Sequence, residues 1–202
     1  MTRVVAVRHG ETDWNRNGRM QGWAPVPLND LGREQAVSAG RWLAEQYEFD
    51  RILSSDLVRT RQTTELLLEG IGDRPVSYDS AWRERNLGVY QGLSYDDVEE
   101  RYPTFGLGDE AYRATEAVPE GGESFRELAD RVTGRFDELL DSGGTTLVVT
   151  HGGPLRCLLG HVKDIELTEA LSTHSMENCS ATEFRTESAP VVVRQNVVDW
   201  RE

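Results

Sequence analysis

The chain has 202 residues and a formal net charge of −13, from 35 acidic and 22 basic side chains. That length fits one domain, or one domain with a modest insertion, which buries roughly 70% of the surface its unfolded chain exposes. The charge argues against nucleic acid, which needs a basic stripe, and against an anionic membrane surface. No apolar run, of which residues 4–7 are among the longest, approaches the roughly 20 residues of a membrane span or the roughly 7–15 of a signal-peptide core. The expectation is a soluble, cytoplasmic protein, in which the sequon Asn178-Cys179-Ser180 carries no meaning. Cys157 and Cys179 are too few and too distant for a redox or zinc pair and are expected as small buried hydrophobes. Lys163 is the only lysine; a salt-rich cytoplasm and a GC-rich genome both favour such a composition, which does not choose between them.

Residues 3–8 open the chain as a short Val-rich run that ends in polar residues, the pattern of a buried strand. Over residues 29–49, Leu31, Ala36, Ala39, Leu43 and Tyr47 recur at helical spacing, with Asn29 or Asp30 as the cap. A short strand at residues 51–53 and a helix over residues 56–70 follow. Residues 88–122 break the pattern with Pro103, Gly106, Gly108, Pro119 and many charges, and read as an insertion or lid. A helix over residues 123–141 presents Phe125, Leu128, Val132, Phe136 and Leu139 on one face. The strand at residues 145–150 is the clearest in the chain; a Gly-rich turn and the apolar stretch 155–159 come after it. Two strand-like runs, 178–185 and 191–197, flank Ser188-Ala189-Pro190 and read as a hairpin on the sheet edge.

Strands alternating with helices imply an α/β fold. The expectation is a three-layer sandwich, a mostly parallel sheet with helices on both faces, an antiparallel C-terminal edge and a lid insertion. Residues 1–202 are expected to form a single domain, with the lid at about 88–122.

Ligands of a parallel sheet bind beyond the carboxyl ends of its strands. The first strand ends in Arg8-His9-Gly10-Glu11-Thr12, the strand at 145–150 ends in Thr150-His151-Gly152-Gly153, and Arg59 lies one turn into the helix after Ser54-Ser55-Asp56. Singly, a histidine at a strand end is more often structural and an arginine in a first helical turn is usually a solvated surface residue. Two of each at three strand ends are harder to set aside. Arginine grips phosphoryl or carboxylate groups through a planar fork. A neutral imidazole is a competent nucleophile near pH 7, and a second histidine, if protonated, adds positive charge where a transferring phosphoryl group spreads its negative charge. The group fits covalent phosphoryl transfer through phosphohistidine. His161 and His174 lie outside this pattern. Among the tryptophans, Trp42 fits a helix face, while Trp14 and Trp23 are candidates for the wall of the site.

The blocks Arg8-His9-Gly10-Glu11-Thr12 with Trp14-Asn15, Gln21-Gly22, residues 27–32 (PLNDLG), Ser54-Ser55-Asp56-Leu57-Val58-Arg59-Thr60, Glu84 within residues 83–88, Gly121-Gly122-Glu123-Ser124 and Val148-Val149-Thr150-His151-Gly152-Gly153 occur in that order over about residues 3–160. Together they resemble the histidine phosphatase superfamily, or phosphoglycerate mutase-like family. The resemblance implies that His9 is the phosphorylated nucleophile and that Arg8, Arg59 and His151 form the phosphate pocket. Asn15, Gln21, Gly22 and Gly152 would line the substrate site, and Glu84 would donate and accept the proton. Glu84 makes chemical sense in that role, because expelling an alkoxide needs a proton and hydrolysing phosphohistidine needs a base. Without the resemblance, Glu84 between Arg83 and Arg85 would read as a surface ion pair.

No G-x-x-x-x-G-K-[ST], H-E-x-x-H or G-x-S-x-G occurs, so no nucleotide loop, metal or hydrolase elbow is implied. No metal and no cofactor are expected. Members of the family hydrolyse phosphomonoesters or shuttle phosphate on phosphoglycerate. Where the mutase pattern resembles E-R-H-Y-G and then G-L-N-K followed by paired arginines, this chain has Leu87 for the tyrosine, Tyr95 for the lysine and no arginine pair. Glu99, Glu100, Asp109, Glu110, Glu116, Glu120 and Glu123 face only Arg101 and Arg113 in the insertion, a balance expected to repel a second phosphate. Hydrolysis of a small phosphorylated metabolite is the favoured reading. A phosphoglycerate mutase and a non-catalytic phosphate-binding scaffold are the alternatives, and the oligomeric state is open, a homo-oligomer included.

Overall fold

A computed structural model describes residues 1–102, 115–186 and 188–201. Its sheet runs β3-β2-β4-β1-β5-β6. β1 (Thr2–Arg8) pairs in parallel with β4 (Gly144–Thr150), and β4 with β2 (Arg51–Ser54). β3 (Val76–Tyr78) extends the parallel part beyond β2. β5 (Ala181–Thr186) and β6 (Pro190–Val197) close the other side as an antiparallel hairpin, as expected. Asp109, Glu110 and Arg113 of the expected lid, with Pro103, Gly106 and Gly108, lie outside the described residues.

Side chains alternate across a pleated strand, and β1 uses both faces. Val4 and Ala6 enter one core with Leu128, Val132 and Phe136 of α5 (Phe125–Leu140) and Leu155 and Leu158 of α6 (Gly152–Lys163). Val5 and Val7 enter the other with Ala36, Ala39 and Leu43 of α2 (Asp30–Gln46) and Leu67 of α3 (Val58–Ile71). The two cores make the three layers.

Several local expectations are corrected. Asn29, not Asp30, caps α2, its Oδ1 accepting from the Gly32 N–H at 2.8 Å. Leu31 is 47% exposed, because the buried face runs through Gly32, Ala36, Ala39 and Leu43, about 100° away around the helix. α3 starts at Val58 rather than near Asp56, whose carboxylate is spent on Arg83 through two bonds of 2.6 Å. Gly152 and Gly153 form the first turn of α6, with His151 as its N-cap, and are not a separate turn. The short elements α1 (Asp13–Arg16), β3 and α7 (Leu167–Thr173) have no reading in the sequence, whereas α4 (Tyr95–Arg101) falls within the stretch 88–122, where the sequence offers only short helical hints. Cys157 and Cys179 are buried and unpaired by disulfide.

Candidate active site

Parallel register sets Arg8 of β1 opposite Thr150 of β4, so the residues that follow, His9 and His151, leave the sheet side by side. The His9 N–H donates to the Thr150 carbonyl at 3.0 Å, and the two imidazole centroids are 5.2 Å apart. His9 is 3% exposed and His151 is fully buried. His9 Nδ1 lies 2.7 Å from the Gly10 carbonyl, an acceptor only, so Nδ1 carries the proton and Nε2 keeps its lone pair. His151 Nε2 lies 2.9 Å from Ser55 Oγ at the end of β2. Ser55 Oγ accepts the Leu57 N–H at 3.4 Å; among the described residues its hydroxyl hydrogen has no other acceptor than His151 Nε2, and donation there leaves the His151 proton on Nδ1.

Two arginines complete the floor. Arg59, in the first turn of α3 and 1% exposed, donates Nη2 to the Gly22 carbonyl at 2.8 Å and Nη1 to that of Ala24 at 3.3 Å. Arg8 donates Nη1 to the Met176 carbonyl. Backbone carbonyls thus fix both forks, yet among the described residues Arg8 Nε, Arg59 Nε and His151 Nδ1 are buried without a hydrogen-bond partner. Each such orphan costs about 1–3 kcal/mol, a cost that an arriving anion relieves. Burial, then Arg59 and Arg8, holds His9 well below the ordinary histidine pKa against the opposing Gly10 bond. Burial, then Arg59, His9 and Arg8, does the same to His151. Burial lowers Arg59 to about 10, where it stays charged at neutral pH. With both imidazoles held below their ordinary range, the arginines carry the positive charge of the site at neutral pH.

A cavity of about 540 Å³ opens above this floor. Arg8, His9, Asn15, Gln21, Gly22, Arg59, Glu84 and Gly152 all line it, and His151 adjoins it through His9. Buried Thr12 orients the amides, its N–H donating to Asn15 Oδ1 at 3.2 Å and its Oγ1 lying 3.0 Å from Asn15 Oδ1 and 3.1 Å from Gln21 Oε1. With their oxygens engaged, both amides keep NH₂ groups as donors. Glu84 makes no ion pair among the described residues. Its Oε1 accepts from the Arg85 N–H at 2.8 Å and its Oε2 from the Gly153 N–H at 3.1 Å. A Cβ on Gly153 would lie 2.1 Å from Glu84 Oε1, whereas one on Gly152 would meet Arg8 Nε at an ordinary 3.7 Å.

These positions can be set beside known proteins. The family model described as histidine phosphatase superfamily (branch 1) matches residues 4–198. The chain belongs to that superfamily. It is 35% identical over 184 residues to phosphoglycerate mutase-like protein 4 of Arabidopsis thaliana, covering 90% of this chain and 78% of the relative. It is 34% identical over 188 residues to a metal-independent phosphoserine phosphatase of the same plant, covering 89% and 74%. Among solved structures it resembles a mycobacterial glucosyl-3-phosphoglycerate phosphatase complexed with VO3, with a TM-score of 0.83, 31% identity, and 96% and 98% of the two chains covered.

The site of this histidine phosphatase also holds residues that sequence reasoning missed. Thr12, Ser55 and Gly153 stand inside the quoted blocks, but their work is to orient neighbours, and only their contacts reveal it. Trp14 and Trp23 do not line the cavity; Trp23 works from behind, donating Nε1 to the Glu84 carbonyl at 2.7 Å. Cations from outside the expected lid also reach the cavity. Arg19, Arg85 and Arg156 line it against Glu99, although each is already bonded to a carbonyl, of Gly92, Glu123 and His174 respectively. Among the described residues no group of three or more His, Cys, Asp or Glu could hold a metal ion. A tetrahedral anion, by contrast, finds fixed N–H donors around a neutral imidazole, the arrangement for phosphoryl capture and transfer.

Proposed function

We propose that this histidine phosphatase hydrolyses phosphomonoesters of small metabolites through a phosphohistidine on His9. His9 Nε2 attacks phosphorus while the P–O bond to the leaving group breaks, and Glu84 gives its proton to the departing oxygen. Glu84, now a carboxylate, takes a proton from water as that water attacks phosphorus; the P–N bond breaks and inorganic phosphate leaves. Arg8, Arg59, His151 Nδ1 and the amides of Asn15 and Gln21 hold the non-bridging oxygens throughout. The observation that carries the reading is the set of three orphaned buried N–H groups around an imidazole whose Nε2 lone pair is free. Likeness to a phosphoserine phosphatase and a glucosyl-3-phosphoglycerate phosphatase supports small phosphorylated metabolites as the substrate class. No described helix is long and apolar enough to cross a membrane, and we place the enzyme in the cytoplasm, as one domain.

Likeness to a phosphoglycerate mutase-like protein favours a second reading, transfer of the phosphoryl group to phosphoglycerate. Against it, Leu87 and Tyr95 line the cavity without adding a cation. The deciding experiment supplies the purified enzyme with a panel of phosphomonoesters, then challenges the phosphoenzyme with 3-phosphoglycerate in water. Release of inorganic phosphate at a rate indifferent to 3-phosphoglycerate is expected. Recovery of the phosphoryl group as bisphosphoglycerate would establish the mutase.

A further inference from the structure

Gly121-Gly122-Glu123-Ser124 is a block of the resemblance to which the site assigns no chemistry. Its carboxylate looks inward. Glu123 Oε1 accepts from the Asn86 N–H at 2.8 Å and from Arg131 Nη2 at 2.6 Å, while Oε2 accepts from Arg131 Nε at 3.1 Å. The backbones of Glu123 and Asn86 also meet, N–H to carbonyl, at 2.9 Å. Close approach is possible because Gly122 has no side chain: a Cβ there would lie 2.5 Å from the Asn86 carbonyl.

Arg131 spends its remaining donors on the stretch that carries Glu84. Nη1 donates to the Ala81 and Arg83 carbonyls, each at 2.8 Å, and Nη2 to that of Glu84 at 2.9 Å. With the two bonds to Glu123, all five N–H groups of the guanidinium are used. Trp23 reaches the Glu84 carbonyl from another direction, its ring 4.5 Å beneath the Arg83 guanidinium that Asp56 holds. Residues 83–87 belong to no helix or strand, so ladder bonds do not position them. Arg131 stands on α5, whose Leu128, Val132 and Phe136 are fully buried, and that helix is the rigid support.

We infer that Arg131, held by Glu123, is a positioning residue that sets where the Glu84 carboxyl meets the leaving group. The inference rests on the reading of Glu84 as proton donor. It gains force from the cost of misplacement, since a shift of about 1 Å in a catalytic group loses on the order of 10²-fold in rate.

The test compares Arg131→Met, Glu84→Gln and the double variant on 3-phosphoglycerate and on p-nitrophenyl phosphate, with inhibition by inorganic phosphate measured alongside. Arg131→Met should lower kcat on the alkyl ester about 10- to 100-fold. The pre-steady-state burst of p-nitrophenolate, which departs without a proton, should change much less, although its later turnover still waits on water activated by Glu84. Inhibition by phosphate should stay at the wild-type level, because Arg8, Arg59 and His151 are untouched. In the Glu84→Gln background, Arg131→Met should add less than about twofold, as for residues acting as a unit. Multiplicative losses, or phosphate affinity falling in step with kcat, would overturn the inference. Should Arg131→Met not fold, Glu123→Gln keeps an acceptor while removing the charge, and must show the same alkyl-to-aryl split. If Glu84→Gln alone leaves that ratio unchanged, the reading of Glu84 fails in a variant that retains Arg131, and the inference falls with it.

Discussion

At the floor of the cavity, His9 and His151 leave adjacent strands in a fixed register, and backbone carbonyls of Gly22, Ala24 and Met176 anchor the arginines beside them. At the wall, Glu84 sits in a stretch without ladder bonds, pinned by contacts from Trp23, Arg131 and the Gly153 N–H. The floor inherits its geometry from the sheet and pays for it in orphaned donors. The wall takes its geometry from side chains that could have been otherwise. Capture of the phosphoryl group is thus built into the topology, whereas delivery of the proton depends on particular loop contacts.

If this division holds, damage to the floor should weaken every substrate alike. Arg59→Ala should lower kcat/KM about 10²- to 10³-fold on alkyl and aryl esters equally, the loss typical of one charged donor in a water-excluded site. Arg59→Lys should not restore it, because an ammonium cannot hold two carbonyls and still present the Nε donor. Steady-state kinetics on both ester types checks this; a loss below tenfold would make Arg59 peripheral. Damage to the wall should be selective. Gly153→Ala drives a methyl into Glu84 Oε1, and should slow alkyl esters roughly 10- to 100-fold while leaving inhibition by phosphate unchanged. An equal loss in the pre-steady-state burst of p-nitrophenolate would dissolve the distinction between the regions.

The smallest effect concerns stability. His9 and His151 are held neutral by burial and by the arginines, whereas an unfolded histidine titrates at about 6.5. As pH falls below that value the unfolded chain binds protons that the folded site refuses, so stability present above about 6.5 is lost toward the lower folded pKa. Asp56, held below the usual carboxylate range by Arg83, contributes its loss only at more acidic pH. His9→Asn should therefore show a shallower fall in urea midpoint between pH 7 and 5 than the wild type. Identical slopes would mean that the floor does not hold His9 neutral.

The same division explains what the sequence could show. Val-rich runs with polar ends and helices with one apolar face made the sheet and its layers legible, and a strand end is a physical address that located His9, His151 and Arg59. The three-residue β3 has no run long enough to show a period, and Val76, Ser77 and Tyr78 are not fully buried. Glu84 between two arginines looks like surface charge until Asp56 is seen taking Arg83 and Phe125 is seen stacking 4.0 Å from Arg85. Its place came from the resemblance rather than from any pattern in its neighbours. Arg131 and Glu123 were invisible as functional groups, because a guanidinium bonded to four residues distant in sequence leaves no local trace.

The central claim is that His9 Nε2 carries the phosphoryl group, and a trapped phosphoenzyme tests it most directly. Enzyme quenched during turnover of a labelled phosphomonoester should hold an acid-labile, alkali-stable phosphoryl group that maps to His9, and His9→Ala should lose both the label and measurable turnover. Label on another residue, or appreciable phosphatase activity in His9→Ala, would contradict the account.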